Sequence, residues 1–394
     1  MKKILSKLML ITMLLTSVSI NAQSIQRLWT VSSDSFGGTL PFRYVNGYAN
    51  TLFGADYTNG EIEEWKDGKL VATYDVNKFC KENDYPYTLS QCTMVDDKGN
   101  ILVNVGTSSI DPTVSQNWVL LPVHDRSAMQ LLYIDQFPDA VATGRVDIPS
   151  NIVGDISSGA YMYITPQKSN ELALMHIRLD ENGKITYDLD KSWAFPISMA
   201  LDNTSNVATF MSYEALKKAQ KIDEVADQTF VRKRSNGVFT WDTSEKQFVQ
   251  NSSIEKGAST PGMGVFEIDG VRYIVLPVLG ENGVRNASFA IYNMATNEEV
   301  ARWNSNCESN NSAIGSVIAR ANGDGTANIY VISQKDRFGI FVFNPLLQGG
   351  SEDDDKEDEI EYEGFHYKTT SDTEVELIPG GSRKGVHTNS FFWL

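Results

Sequence analysis

Residues 322–343 read Asn322-Gly323-Asp324-Gly325-Thr326-Ala327-Asn328-Ile329-Tyr330-Val331-Ile332-Ser333-Gln334-Lys335-Asp336-Arg337-Phe338-Gly339-Ile340-Phe341-Val342-Phe343. A Gly/Asn/Asp turn precedes a run of apolar and β-branched residues, a short polar break and a second such run. That is hairpin chemistry, because Asn-Gly and Asp-Gly supply the positive φ that tight turns need. The same unit recurs upstream: strand, turn, strand, variable loop, then two more strands. The turn between its first two strands is marked at Asn46-Gly47, Lys98-Gly99, Ser158-Gly159, Thr204-Ser205, Asp269-Gly270 and Asp324-Gly325. The marks fall about 45 to 65 residues apart, the spacing of four-stranded blades repeated around an axis. Six marks predict a six-bladed β-propeller over residues 23–348.

The last unit stops one strand short, at Ile340-Phe341-Val342-Phe343. Near the start of the chain lies a spare strand, Arg27-Leu28-Trp29-Thr30-Val31-Ser32, patterned like Ala301-Arg302-Trp303-Asn304-Ser305 of the fifth unit. An N-terminal strand that completes the last blade would leave the ring no free edge to pair wrongly. Closure therefore predicts Trp29 in the last blade. One segment breaks the β pattern. In Tyr213 to Ala226, the residues Ala215, Leu216, Ala219, Ile222, Val225 and Ala226 fall on one helical face behind a Ser212 cap. Placed between the second and third strands of the fourth unit, it reads as a lid over the ligand face or as a helix packed on the flank.

The ends of the chain differ from the middle. Lys2, Lys3 and Lys7 precede an uncharged apolar stretch from Leu8 to Ile20, and Asn21-Ala22 follows it. This reads as a secretory signal peptide over residues 1–22 rather than a membrane anchor, since its apolar core is short of the roughly 20 residues that span a bilayer. No later stretch is long and apolar enough to span one. At the other end, Glu352 to Glu363 carries nine acidic residues against Lys356. Like charges this dense stay extended, so residues 349–363 read as a linker and 364–394 as a short β tail. Asp353-Asp354-Asp355 lacks the alternation and the turn glycine of a calcium loop.

Charge and cysteine bound the function. Lys and Arg number 34 and Asp and Glu 50, a formal charge of −16 that becomes −19 without the three leader lysines. So acidic a chain lacks the basic footprint for nucleic acid. Cys80, Cys92 and Cys307 do not make a disulfide-stapled scaffold. Cys80 and Cys92 could pair, or all three could be free thiols, and none has metal-ligand spacing. No nucleophile elbow, phosphate loop or dinucleotide fingerprint occurs. His124-Asp125-Arg126 has the composition of an acid–base cluster, although neighbours on an extended chain point apart. His176, inside an alternating strand, reads as structural. Trp65, Trp193, Trp241 and Trp303 read as core.

Binding is the class best carried by the residues. The loops between second and third strands gather on one face of the ring. They bring Tyr57, Arg232, Arg234, Arg285, Lys335 and Arg337 together as candidate ligand contacts. A basic group on an acidic protein suits an anionic glycan or a carboxylate. The expected function is a non-catalytic binding or scaffold protein with a glycan or protein ligand and no cofactor; calcium held by scattered oxygens stays open. The alternative is a polysaccharide hydrolase or lyase, whose paired acids would be invisible in sequence.

Two resemblances accompany this reading. Gly364-Phe365-His366-Tyr367, turning through Ser371-Asp372-Thr373 into Glu374-Val375-Glu376-Leu377, resembles the opening strands of secreted surface leucine-rich repeat proteins of Bacteroidetes type. It covers under twenty residues, and the expected repeats do not follow. The region from 25 to 347, with a leader ending Asn21-Ala22-Gln23, resembles uncharacterised exported propellers of the same type. Those families imply a fold and export, to the periplasm, the cell surface or the medium, and no activity.

Overall fold

A computed structural model describes residues 24–42, 44–106, 117–133, 152–164, 171–196, 207–210, 230–233, 237–242, 244–245, 247–254, 264–279, 288–304, 314–333, 337–347, 359–362, 365–371 and 374–377. After β1 (Ile25–Ser32), the chain builds four-stranded antiparallel meanders. The first sheet is β2 (Val45–Tyr48), β3 (Thr51–Asp56), β4 (Glu61–Lys66) and β5 (Lys69–Asp75). A short helix, α1 (Val76–Glu82), leads to the second: β6 (Thr88–Val95), β7 (Ile101–Gly106), β8 (Asn117–Leu121) and β9 (Gln130–Leu132). The third is β10 (Val153–Asp155), β11 (Gly159–Ile164), β12 (Glu171–Leu179) and β13 (Ile185–Pro196). The fourth is β14 (Val207–Phe210), β15 (Phe230–Lys233), β16 (Gly237–Asp242) and β17 (Gln247–Gln250). The fifth is β18 (Gly264–Ile268), β19 (Val271–Val278), β20 (Ser288–Asn293) and β21 (Glu298–Asn304).

The sixth sheet takes only three strands from its own stretch: β22 (Ile314–Ala321), β23 (Ala327–Ser333) and β24 (Arg337–Phe343). Its fourth is β1, antiparallel to β24 with Ile25 opposite Phe343 and Trp29 opposite Ile340. The fold is a six-bladed β-propeller closed by its N-terminal strand. Gly339, opposite Thr30, makes the close pairing possible: a Cβ there would lie 2.2 Å from the Trp29 carbonyl oxygen. The Trp29 indole N–H reaches on to Asn50 Oδ1 at 3.1 Å, fastening the closing strand to the first sheet.

Successive residues of a strand face opposite sides of its sheet. Here both sides are covered, so the strands read as apolar runs rather than simple alternations. On β19, Tyr273 and Val275 pack toward the sixth sheet while Ile274, Leu276 and Val278 pack toward the fourth. On β23, Ile329 and Val331 pack toward the fifth sheet, and Tyr330 and Ile332 toward the first. On β7, Val103 and Val105 join the core shared with the first sheet and Leu102 the core shared with the third. Trp65 and Trp303 are buried in these cores.

Three sequence expectations need correction. Asn46-Gly47 is not a turn: both lie within β2, and the chain reverses at Ala49-Asn50, with Ala49 at φ 49°. The glycine is there because the Tyr330 ring lies against it; a Cβ would fall 2.0 Å from Cε1 of that ring. The strand from Val207 is the first of its sheet, not the second, since it pairs with β15 alone. The segment 211–229 thus joins first and second strands of its sheet. The expected helix itself lies outside the described residues. Finally, Lys81 to Gln91, between the two cysteines that the sequence allows to pair and loop-like in the sequence, is not all loop: α1 runs to Glu82 on an Asp75 cap, whose carboxylate accepts the Lys78 amide at 2.7 Å. Cys80 in that helix is a buried free thiol pushed up to about 11 by burial.

Beyond the ring, β25 (Glu359–Tyr362), β26 (Phe365–Ser371) and β27 (Glu374–Leu377) form a three-stranded antiparallel sheet, whose first strand begins inside the acidic stretch.

Candidate binding face

In a four-stranded meander, the first–second and third–fourth turns lie at one end. The second–third turns lie at the other, with the links between sheets. The second–third connections here are 57–60, 107–116, 165–170, 234–236, 279–287 and 334–336, and the strand ends that they join share that second end.

Tyr57 stands on 57–60, the connection whose residues are all described. Asp56, buried at the end of β3, accepts the amides of Thr58 and Asn59 at 2.9 and 3.1 Å and the Asn59 side-chain amide at 2.7 Å. The Gly60 carbonyl then accepts both Val76 and Asn77 amides, at 3.0 and 3.1 Å. Asn77 in turn accepts the Leu89 amide at 2.7 Å. The loop is locked to α1 and to the second sheet, so the half-buried Tyr57 is presented from a fixed base. Arg337 is the first residue of β24, half-buried, opposite Ser32, its amide donating to Ser333 Oγ at 2.9 Å.

Arg232 is not a loop residue. It lies within β15, opposite Ala208 on one side and Val238 on the other. Arg234, Arg285 and Lys335 lie outside the described residues, on the connections β15–β16, β19–β20 and β23–β24.

The same end of the first sheet carries acids that the sequence reading passed over. Glu63 is buried, and its Oε2 accepts the Trp65 indole N–H at 2.7 Å. Burial pushes its carboxyl above the ordinary range, Asp56 and Glu61 add to the push, and the indole bond opposes it. The alternation carried the signal: Glu63 is two residues before a core tryptophan, on the same side of β4.

The His124-Asp125-Arg126 cluster comes apart in the fold. Asp125 turns onto Ser127, accepting its amide at 3.0 Å and its hydroxyl at 2.6 Å. Arg126 runs inward, donating to the Leu121 carbonyl at 3.0 Å with its guanidinium 5.3 Å from the centre of the Phe53 ring. His124 is exposed. The three make a turn and an inter-sheet contact rather than an acid–base pair. His176 stacks on Tyr161 at 4.5 Å between centroids, a packing role. Among the described residues, no three His, Cys, Asp or Glu side chains are placed to hold a metal ion. No helix there is long and apolar enough to cross a membrane.

No protein-family model and no curated protein matches the sequence. Among solved structures, the chain is similar to two crystals of BBS1N in complex with ARL6DN. With the crystal soaked with lead, identity is 10% and the TM-score 0.37, over 76% of this chain and 77% of that one. With the crystal soaked with mercury, identity is 10% and the TM-score 0.40, over 83% and 99%. At these scores the assignment of the fold rests on strand order and register.

Proposed function

We propose that this protein is an exported, non-catalytic binding or scaffold protein. Its second–third-strand face takes a partner presenting carboxylates, from an acidic protein surface or an acidic glycan. The observation that carries the reading is topological. Six meanders bring the ends of their second and third strands to one end, and in the sequence Tyr57, Arg234, Arg285, Lys335 and Arg337 lie in or beside the connections between those strands. Guanidinium groups pair carboxylates in a planar fork, and a cluster of them on an acidic chain concentrates attraction on one face. The locked loop under Tyr57 lowers the ordering cost of binding. Export is supported by the leader pattern of residues 1–22.

The test is a thermal-shift series on residues 23–394 with polygalacturonate, a poly-glutamate peptide and neutral dextran, with product analysis of each mixture. A ligand of the folded state raises the melting temperature by mass action. The expected result is a rise with an acidic polymer, none with dextran, and no shortened products. The rise should shrink with added salt. It should vanish in the variant Arg234→Glu, Arg285→Glu, Lys335→Glu, Arg337→Glu. Equal response to dextran overturns the carboxylate reading, and shortened products overturn the non-catalytic one.

A further inference from the structure

The other end of the ring holds a built cleft of about 320 Å³ between the second and third sheets. Its floor is apolar: Leu120 and Ile156 are almost fully buried, Pro122 and Leu179 line it, and Val123 stands 45% exposed at its mouth. Its framing is fixed on both sides. Toward the axis, Asp97 Oδ2 accepts the Gly154 amide and Asp96 Oδ2 the Ile156 amide, each at 2.8 Å. Toward the rim, Gln130 donates to the Gly183 carbonyl and accepts the Ile185 amide, each at 2.9 Å. The second-sheet wall is tied down as well, since Asn100 Oδ1 accepts the Val123 amide at 2.9 Å.

The charges are divided between the walls. Lys98 and His124 belong to the second sheet and Asp155 to the third. Asp155 Oδ1 takes the Ser157 amide at 2.8 Å and the Ser157 hydroxyl, which orients the carboxylate and leaves Oδ2 to a ligand. An apolar floor with a few placed polar groups is the usual make-up of a small-molecule site, and this volume is at the small end of the range.

We propose that this cleft binds a small zwitterion with an apolar body, a free apolar α-amino acid. Its carboxylate faces Lys98 and His124, its ammonium faces Asp155, and its side chain lies on Leu120, Ile156 and Leu179. The site is separate from the second–third-strand face and independent of the function proposed for that face.

The experiment is calorimetry on residues 23–394 with three probes: L-phenylalanine, phenylacetate and 2-phenylethylamine. Phenylalanine should bind at least about tenfold more tightly than either singly charged analogue. Lys98→Gln should erase its advantage over the amine. Asp155→Asn, which keeps an oxygen for the Ser157 turn, should erase its advantage over phenylacetate. The four-fold charge reversal of the opposite face should leave phenylalanine binding unchanged, which separates this test from that one. Equal affinity for the three probes, or no binding of phenylalanine, overturns the proposal.

Discussion

Glu63 shows how one side chain couples the fold to pH. Its carboxyl is buried beside Trp65, with Asp56 and Glu61 close enough to oppose its ionisation. Burial is the first cause of its raised pKa. The folded chain therefore holds this proton more tightly than the unfolded chain does. The stabilisation is complete below the unfolded carboxyl value of about 4.3 and is lost as pH rises through the higher folded value. Glu63→Gln removes the charge and keeps an oxygen for the indole N–H. The variant should melt above the wild type at pH 7, and the difference should shrink toward zero as the pH falls to about 4. Melting curves of the two proteins across that range decide it; a difference independent of pH would mean that ionisation of Glu63 has no part in stability.

At the scale of elements, closure of the ring was legible and the order of the fourth sheet was not. The closing strand could be read because two independent signs agreed: a unit one strand short at Phe343, and a spare Trp-bearing strand at the other end. The fourth sheet lacks such a sign, since turn dipeptides mark short hairpins and the link 211–229 is long. Asn46-Gly47 misled for a different reason. A glycine that a turn requires and a glycine that a tyrosine ring requires look the same in sequence. Of the candidate face, the sharing of one end by the loops followed from the repeat, while Arg232 was misplaced because reading the strand from Val207 as the second turns Phe230–Lys233, the true second strand, into loop. Gly339 gives closure a test. In Gly339→Ala, the new methyl would stand 2.2 Å from a backbone oxygen of β1 and 2.8 Å from Thr30 Cα, so relief requires the strands to part. The expected cost is about 1–3 kcal/mol, as for other overpacked sites. It should appear as faster amide hydrogen exchange over residues 25–32, with the second sheet unchanged. Uniform acceleration across the molecule, or none, would show that β1 is not held by this contact.

At the scale of the whole molecule, the described cores join neighbouring sheets, and among the described residues Arg320 reaches past its neighbour. Arg320, at the end of β22 in the sixth sheet, donates to the Val95 and Asp96 carbonyls of the second sheet, the latter at 3.3 Å. It also pairs with Asp97 at 3.5 Å, and Asp97 accepts the Gly154 amide of the third sheet. The first sheet is skipped, so the link crosses the end of the axis where first–second turns meet. The sequence could not show this, because it places Arg320 and Asp97 223 residues apart and only the closed ring brings them together. The donor is a guanidinium cation, so these hydrogen bonds are of the stronger, charge-assisted kind, and the side chain is well sheltered, 16% exposed. Arg320→Met keeps the length and apolar stem of the side chain while removing every donor. The carbonyls of Val95 and Asp96 would lose a charged partner, at a cost of about 2–3 kcal/mol. Denaturant unfolding of variant and wild type measures that loss, and a midpoint unchanged by the substitution would mean that the inter-sheet cores alone hold the ring. Because the link is at the end opposite the proposed binding face, the variant should keep the full melting-temperature rise with acidic polymer. Loss of that rise in a variant that still folds would instead mean that the two ends of the propeller are coupled through the axis.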